Sequence, residues 1–155
     1  MKSTLISIAL STVMLATVGC GGGGDPEAER IAKLRHDNFE KIGGAFKTIR
    51  DEFKESPADM AKISGAAQTI AGLAKEVPSW FPAGSGPDSG VDTEALPSIW
   101  EKPAEFQAAA DQFVSASDAF AAAAASGDAQ ATMGEIRNLG GACKNCHDNF
   151  REEDE

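Results

Sequence analysis

Apolar residues recur at alternating steps of three and four along four stretches of this 155-residue chain, and no other feature restricts the fold as strongly. The stretches run from about Pro26 to Lys54, Pro57 to Val77, Pro103 to Ala125 and Asp128 to Arg151. Such steps place the apolar residues on one face of an α-helix and are typical of helices that pack side by side. Because no stretch alternates with the period of two that a half-buried β-strand shows, the pattern predicts an all-α chain.

Each predicted helix has an apolar stripe that we expect to face a shared core. The first stripe comprises Phe39, Ile42, Phe46, Ile49 and Phe53, with Ile31 and Leu34 extending it, and the second comprises Met60, Ile63, Ala67, Ile70, Ala74 and Val77. The third comprises Phe106, Ala110, Phe113, Ser117, Phe120 and Ala124, and the fourth comprises Ala129, Met133, Ile136, Gly140, Cys143, His147 and Phe150. Asp25 and Ser56 are the predicted N-caps of the first two helices.

The connections between the stretches differ sharply in length. Glu55-Ser56 and Ser126-Gly127 are so short that the helices they join must run antiparallel. The connection from Pro78 to about Lys102 is long, rich in Gly and Pro, and contains Trp80, Phe81 and Trp100. Long ordered connections are usually functional, and we expect these rings to cover a core or a cofactor. The predicted fold is therefore an antiparallel four-helix bundle with a long connection between helices two and three.

The N-terminus has the features of a secretory signal peptide. Lys2 supplies the positive charge, and an apolar region from Leu5 to Val18 follows, too short for a transmembrane span. Gly19-Cys20 resembles a bacterial lipobox, in which the cysteine carries lipid; ordinary cleavage nearby is the alternative. The predicted division is a signal peptide (1–19), a Gly-rich tether (20–26), a helical domain (27–151) and a solvated acidic tail (152–155). We expect a periplasmic protein whose only link to a membrane is lipid on Cys20.

The formal net charge of the chain is −10 at pH 7. A domain this acidic repels nucleic acid and anionic membrane surfaces, so neither is an expected partner. The same charge favours a basic protein partner or simply keeps the domain soluble. Its length is that of a single domain.

Residues 143–147 read Cys-Lys-Asn-Cys-His, and Cys-x-x-Cys-His is the attachment sequence of a c-type haem. Cys143 and Cys146 would form thioether links to one covalent haem c, and His147 would be the axial ligand of its iron. On a helix, residues three and four apart share a face. Because Cys143 and His147 fall on the fourth stripe, we expect the haem inside the bundle and the imidazole buried.

Three other interpretations of the pentapeptide are weaker. A structural zinc site needs four protein ligands, and the motif supplies three. A redox-active Cys-x-x-Cys is expected in a βαβ context, which this sequence lacks. A disulfide between residues three apart on a helix has poor geometry.

Four short segments have a recognisable combination: the run from Cys143 to Arg151 at the end of the last helix, Arg35-His36 in the first helix, Pro78-Ser79-Trp80, and Pro97-Ser98-Ile99-Trp100. By these segments the chain resembles the cytochrome c′ family over roughly residues 27–151. The resemblance implies a four-helix bundle with a five-coordinate haem on His147. It also implies homodimers formed through the first two helices.

The same resemblance assigns roles to residues outside the pentapeptide. Phe39 matches the position that blocks the distal face of the haem, with core packing as the alternative. Arg35, His36 and Glu94 match positions near the haem edge, although a solvated Arg35 and a solvated or iron-ligating His36 remain open. Arg151 matches a proximal residue, or it simply suits the helix C-terminus.

Two functions fit these features. The first is electron transfer in the periplasm with a redox partner that the sequence does not identify. The second is binding of nitric oxide or carbon monoxide, with protection against nitric oxide as the result. An enzyme is not expected, because the sequence shows no acid–base pair of carboxylate and histidine.

Overall fold

The computed structural model describes residues 24–152, so the predicted signal peptide, Cys20 and the last three residues of the acidic tail lie outside the described residues. The helices are α1 (Pro26–Glu52), α2 (Met60–Ala74), α3 (Ser98–Glu101), α4 (Pro103–Ala125) and α5 (Ala129–Phe150). Short 3-10 turns lie at Val77–Trp80 and Pro87–Ser89. The prediction of four long helices is confirmed, and the short α3 lies within the predicted long connection.

Aspartates cap three of the four long helices. The side chains of Asp25, Asp59 and Asp128 each accept hydrogen bonds from two backbone N–H groups in the first turn of the helix that follows. Asp25 was the predicted cap of α1, whereas Ser56 was a wrong prediction for α2, which begins at Met60 instead of Pro57. The Asp59 side chain accepts hydrogen bonds from first-turn N–H groups that have no partner within the helix, which is the role of an N-cap.

The helices pack in the order α1 on α2, α2 on α4 and α4 on α5. The short connections make α1 antiparallel to α2 and α4 antiparallel to α5, and α4 returns beside α2 through the long connection. A single aliphatic and aromatic core fills the bundle; its most fully buried large side chains are Phe120, Ile49, Ile63, Ile70 and Leu139. α1 and α5 are not among the helix pairs that pack closely on each other.

The buried face of α5 differs from the predicted stripe. Thr132, Leu139, Ala142 and Phe150 are buried, whereas Met133 is 53% exposed and His147 is also exposed. The expectation that every residue of the fourth stripe faces the core was therefore wrong for Met133. α5 packs on α4 and on α3 but not closely on α1, so the edge of its stripe that points away from α4 is left uncovered. Leu34 on α1 is similarly 45% exposed.

None of the described helices combines the length and the apolar character that a membrane crossing demands.

Candidate haem-binding site

The last two turns of α5 carry the attachment pentapeptide. Cys143 and Cys146 are half-buried, pack against the core and are free thiols, so the helical spacing does not bring them into a disulfide. His147 lies at the exposed edge of the same helix. The prediction of a buried imidazole concerns the haem-bound bundle and stays a prediction; in the protein chain by itself, α5 does not pack closely on α1 at this edge. The side chains of the pentapeptide therefore extend from the edge of the core, at Cys143 and Cys146, to the surface, at His147.

Burial raises the pKa of the Cys143 thiol. Burial, together with the neighbouring Cys143, raises the pKa of Cys146 to about 11. Desolvation disfavours the charged thiolate, so both sulfur atoms are protonated at neutral pH. Within residues 24–152, no group of three or more His, Cys, Asp or Glu side chains is arranged to hold a metal ion.

Six rings line the end of the bundle to which the pentapeptide belongs. We call this group the aromatic cluster; it comprises Phe39, Trp80, Phe81, Trp100, Phe106 and Phe150. Phe39 on α1 contacts Trp80 edge-on with ring centroids 5.3 Å apart, and Phe81 at 6.3 Å. Phe106 on α4 contacts Phe150 of α5 at 5.3 Å. Edge-to-face pairs of this kind add stability beyond their buried area, so the cluster ties the long connection to three helices.

Arg35 is buried, with 4% of its surface exposed. Its guanidinium donates hydrogen bonds to the Ser85 carbonyl oxygen at 3.3 Å and to Thr93 Oγ1 at 2.7 Å. Its Cζ atom lies 4.7 Å from the centre of the Phe81 ring. Burial lowers the pKa of Arg35, which still leaves it charged at neutral pH. The alternative of a solvated Arg35 on a charged helix was therefore wrong.

No carboxylate of residues 24–152 forms an ion pair with Arg35. Its hydrogen-bond acceptors are neutral oxygens of the long connection. A buried charge without a counter-ion is costly, so this position suits an acidic group supplied from outside the described chain. His36, the next residue, is exposed.

Glu94 and Arg151, which the sequence assigned separately, are partners. Arg151 Nε donates to Glu94 Oε2 at 2.6 Å. The backbones of the two segments also join: Leu96 N–H donates to the Phe150 carbonyl and Glu152 N–H donates to the Glu94 carbonyl, with an isolated bridge between Ala95 and Arg151. The long connection is thereby fastened to the C-terminal end of α5, about one helical turn after His147.

Sequence reasoning missed Ser85 and Thr93, the residues that hold Arg35. No local signal marks them, because each is a small polar residue in a loop. The rings of Trp80 and Phe81, which the sequence predicted to cover a core or a cofactor, both contact Phe39.

These residues fit a flat apolar group that has acidic substituents. Two free thiols and an accessible imidazole lie on α5, aromatic rings line the interior, and the Arg35 charge has no carboxylate partner in the described part of the chain. The two helices that carry His147 and Phe39 do not pack closely on each other. A haem joined to Cys143 and Cys146 matches this set of donors.

Comparison with known proteins gives a consistent result. The protein-family model described as Cytochrome C′ matches residues 30–151. Cytochrome c-554 of Cereibacter sphaeroides is 38% identical over 136 residues, covering 83% of this chain and 84% of that protein. Cytochrome c′ of Rhodopseudomonas palustris is 37% identical over 131 residues, covering 82% of each. The solved structure of a cytochrome c′ with an unusual ligand-controlled dimer dissociation superposes with a TM-score of 0.75 at 25% identity, covering 81% of this chain and 97% of that one.

Proposed function

The chain belongs to the cytochrome c′ family, whose members carry a covalently attached c-type haem, and from that premise we propose that it transfers electrons in the periplasm. The observation that carries the proposal is the position of the pentapeptide. Cys143 and Cys146 are half-buried and pack against the core, and His147 is exposed, so a haem joined to these residues would have one edge close to the surface of the bundle. Electron exchange between two proteins needs a short distance between the cofactor and the bound partner, and a haem edge near the surface provides it. The bound haem supplies the one-electron chemistry of its iron.

We assign each residue a role in that function. Cys143 and Cys146 provide the thioether sulfurs, and His147 provides the axial nitrogen. Arg35 holds an acidic substituent of the cofactor through the guanidinium that lacks a carboxylate partner among residues 24–152. Glu94 and Arg151 act as a pair that fixes the end of α5, while exposed His36 lies near the haem edge.

Variants of the exported holoprotein test these assignments. The Cys143→Ser/Cys146→Ser double variant is expected to lose covalent haem, seen as loss of haem staining on a denaturing gel. His147→Ala is expected to keep the covalent haem but change its ferric and ferrous spectra, because the thioether links remain. Lys144→Ala, which alters the motif without removing a functional atom, is the control for both.

Electron transfer itself is tested by spectroelectrochemistry of the wild-type holoprotein. We expect one reversible one-electron transition that repeated cycles reproduce. A haem that is lost or altered during each cycle would contradict the proposal.

The second candidate function is the binding of nitric oxide or carbon monoxide, and the surroundings of Phe39 favour it. Phe39 is held by Trp80 and Phe81, and a phenyl ring cannot ligate iron. Met60 and Met133, whose sulfur atoms could in principle ligate iron, lie near the starts of α2 and α5. These positions are at the end of the bundle opposite to His147. The relative with ligand-controlled dimer dissociation supports both a ligand and a homodimer for this chain.

Optical spectra of the holoprotein test whether Phe39 covers the distal side of the haem. If it does, we expect a high-spin five-coordinate spectrum of the wild-type protein at neutral pH. We also expect the Phe39→Ala variant to bind carbon monoxide faster than the wild-type protein. His36→Ala is the matched control and should leave both unchanged. A six-coordinate low-spin wild-type spectrum that His36→Ala converts to five-coordinate would show that His36 is the second ligand. Sedimentation with and without carbon monoxide tests the homodimer.

Export and anchoring are a separate proposal, because residues 1–23 lie outside the described part. We propose that residues 1–19 are removed and that Cys20 carries lipid at the head of the tether. Cys20→Ser should release the holoprotein from membrane fractions into the soluble periplasmic fraction. Release of the wild-type protein as well would show ordinary cleavage without lipid.

A further inference from the structure

A surface cavity of about 210 Å³ lies between residues 83–89 and the segment from Pro97 to Glu101. We call it the Trp100 pocket. The residues that line it include Trp100 and two acidic residues, Asp88 and Glu101. Trp100 also belongs to the aromatic cluster, and none of the other lining residues has a role assigned above.

The pocket is held in shape by contacts on both of its sides. Trp100 Nε1 donates to the Pro82 carbonyl oxygen at 3.0 Å. A Cβ atom at Gly86 would lie 2.8 Å from Trp100 Cζ3, so only glycine lets the loop approach the ring this closely. The buried guanidinium of Arg35 fixes the adjacent Ser85 carbonyl. A preformed pocket loses little conformational entropy when it is filled.

The chemistry of the wall selects for a cation. Asp88 and Glu101 are exposed, and neither forms an ion pair with any lysine or arginine of residues 24–152. The nearby Lys102 contacts Glu105 instead, at 3.6 Å. An aromatic face beside carboxylates attracts ammonium and guanidinium groups. The net charge of −10 adds long-range attraction for a positively charged protein.

The position of the pocket connects it to the haem-binding end. α3, which carries Trp100, packs on α5, and Ser98 Oγ donates to the Asn149 carbonyl at 2.9 Å. Trp100 contacts Phe81 at 6.0 Å between ring centroids, and Phe81 contacts Phe39 at 6.3 Å. A protein held at the pocket therefore lies against the end of the bundle to which Cys143, Cys146 and His147 belong.

We propose that the Trp100 pocket is the docking site for a lysine or arginine side chain of a basic electron-transfer protein. The proposal names the surface and the partner class for the electron transfer proposed above and rests on it. Asp88 and Glu101 attract and orient the cationic side chain, and the indole of Trp100 covers its apolar stem.

Carbodiimide cross-linking of the holoprotein to a lysine-rich mitochondrial cytochrome c, used as the basic probe, tests the site directly. The reagent joins a carboxylate to a lysine amine that is in contact with it, and mass spectrometry locates the joined residues. We expect the products to concentrate on Asp88 and Glu101 and to disappear when the lysines of the probe are succinylated. Products spread evenly over the acidic surface would overturn the proposal.

Charge-matched variants separate the pocket from the general acidity of the chain. Asp88→Asn/Glu101→Gln should weaken binding of the probe about fivefold at an ionic strength of about 0.1 M, because two attractive charges are lost. Glu55→Gln/Glu135→Gln removes the same charge at the opposite end of the bundle and should leave binding within about twofold, since the Debye length is only about 10 Å at this ionic strength. Equal losses in both variants would show attraction without a site.

A pair of ring variants tests the indole. Both Trp100→Phe and Trp100→Leu lose the hydrogen bond to Pro82, but only Trp100→Phe keeps an aromatic face. We expect Trp100→Leu to bind the probe about two- to fivefold more weakly than Trp100→Phe, with circular dichroism and the haem spectrum showing that both fold. Equal affinities would remove Trp100 from the site. Cross-linking at Asp88 and Glu101 without any electron exchange would overturn the electron-transfer proposal and leave the docking site in place.

Discussion

At the end of the bundle where α1 leads to α2 and α4 leads to α5, the connections are short and the core is largely apolar. Ile49, Ile63 and Phe120 are fully buried there, and Asp59 and Asp128 cap the two helices that begin at this end. At the haem-binding end, a long connection with two 3-10 turns covers the bundle, and the buried residues include Arg35, Asn38 and Ser85. The first end mainly stabilises the fold, whereas the second buries charged and polar groups beside the aromatic cluster. Substitutions at the first end are therefore expected to change the free energy of unfolding alone, and substitutions at the second end to change the haem spectrum as well.

The largest expected effect is that of Phe120→Ala. Phe120 is fully buried, so its truncation should lower the free energy of unfolding by about 3–5 kcal/mol. Denaturant titration of the holoprotein measures the loss, and the haem spectrum should not change. Phe106→Ala, in the aromatic cluster, is the matched variant at the other end and should change the spectrum as well. If Phe120→Ala also altered the spectrum, the two ends would not be independent.

The next largest effect is expected for Arg35→Met. This change leaves the buried Ser85 carbonyl without its donor, which should cost about 1–3 kcal/mol of unfolding free energy. Removal of a positive charge near the cofactor favours the more positively charged ferric form, so the reduction potential should fall. Arg35→Lys keeps the charge and should restore most of the potential. An unchanged potential in Arg35→Met would place Arg35 away from the cofactor.

Glu94→Gln tests the fastening of the long connection to α5. Glu94 and Arg151 are partly exposed, with side chains 60% and 37% accessible, so the loss of unfolding free energy should stay below about 1 kcal/mol. The backbone bonds between the two segments remain. We expect faster amide hydrogen exchange at residues 150–152 and no change in α2. Unchanged exchange at the end of α5 would mean that the backbone bonds alone hold it.

Asp51→Asn should have the smallest effect, at the packed end. Hydrogen bonds from Lys47 and Lys54 lower the pKa of Asp51 from 3.8 to about 2. A lowered pKa stabilises the fold above the unfolded-state value of 3.8, and this contribution disappears as the pH falls through about 2. Melting temperatures of wild type and Asp51→Asn should therefore differ slightly at pH 7 and converge near pH 2. A difference that persists at pH 2 would have another cause.

The haem-binding end is also where sequence reasoning was least complete. The helix starts at Pro26 and Pro103 and the cap at Asp25 were predicted, because caps and proline positions depend on adjacent residues. The exposure of His147 was not predicted. An apolar stripe indicates which residues of a helix can be buried. How many of them are buried depends on which other helices pack against that face.

Some contacts at the site could not be inferred from any pattern. Arg35 donates to Thr93, 58 positions away in the chain, and Arg151 pairs with Glu94, 57 positions away. The resemblance placed Arg35, Glu94 and Arg151 near the cofactor without showing that Glu94 and Arg151 meet. The route of the long connection brings them together, and that route depends on the packed rings of Trp80, Phe81 and Trp100.

By itself, the sequence determined the four long helices, their antiparallel order and the clustering of Cys143, Cys146 and His147 on α5. These features follow from local spacing, since helical periodicity and short connections act over a few residues. Only the tertiary structure decided that Arg35 is buried without a carboxylate partner in the described chain, that His147 is exposed, and that Trp100 forms a pocket with Asp88 and Glu101. These features come from contacts between distant segments, which exist only after the bundle has packed.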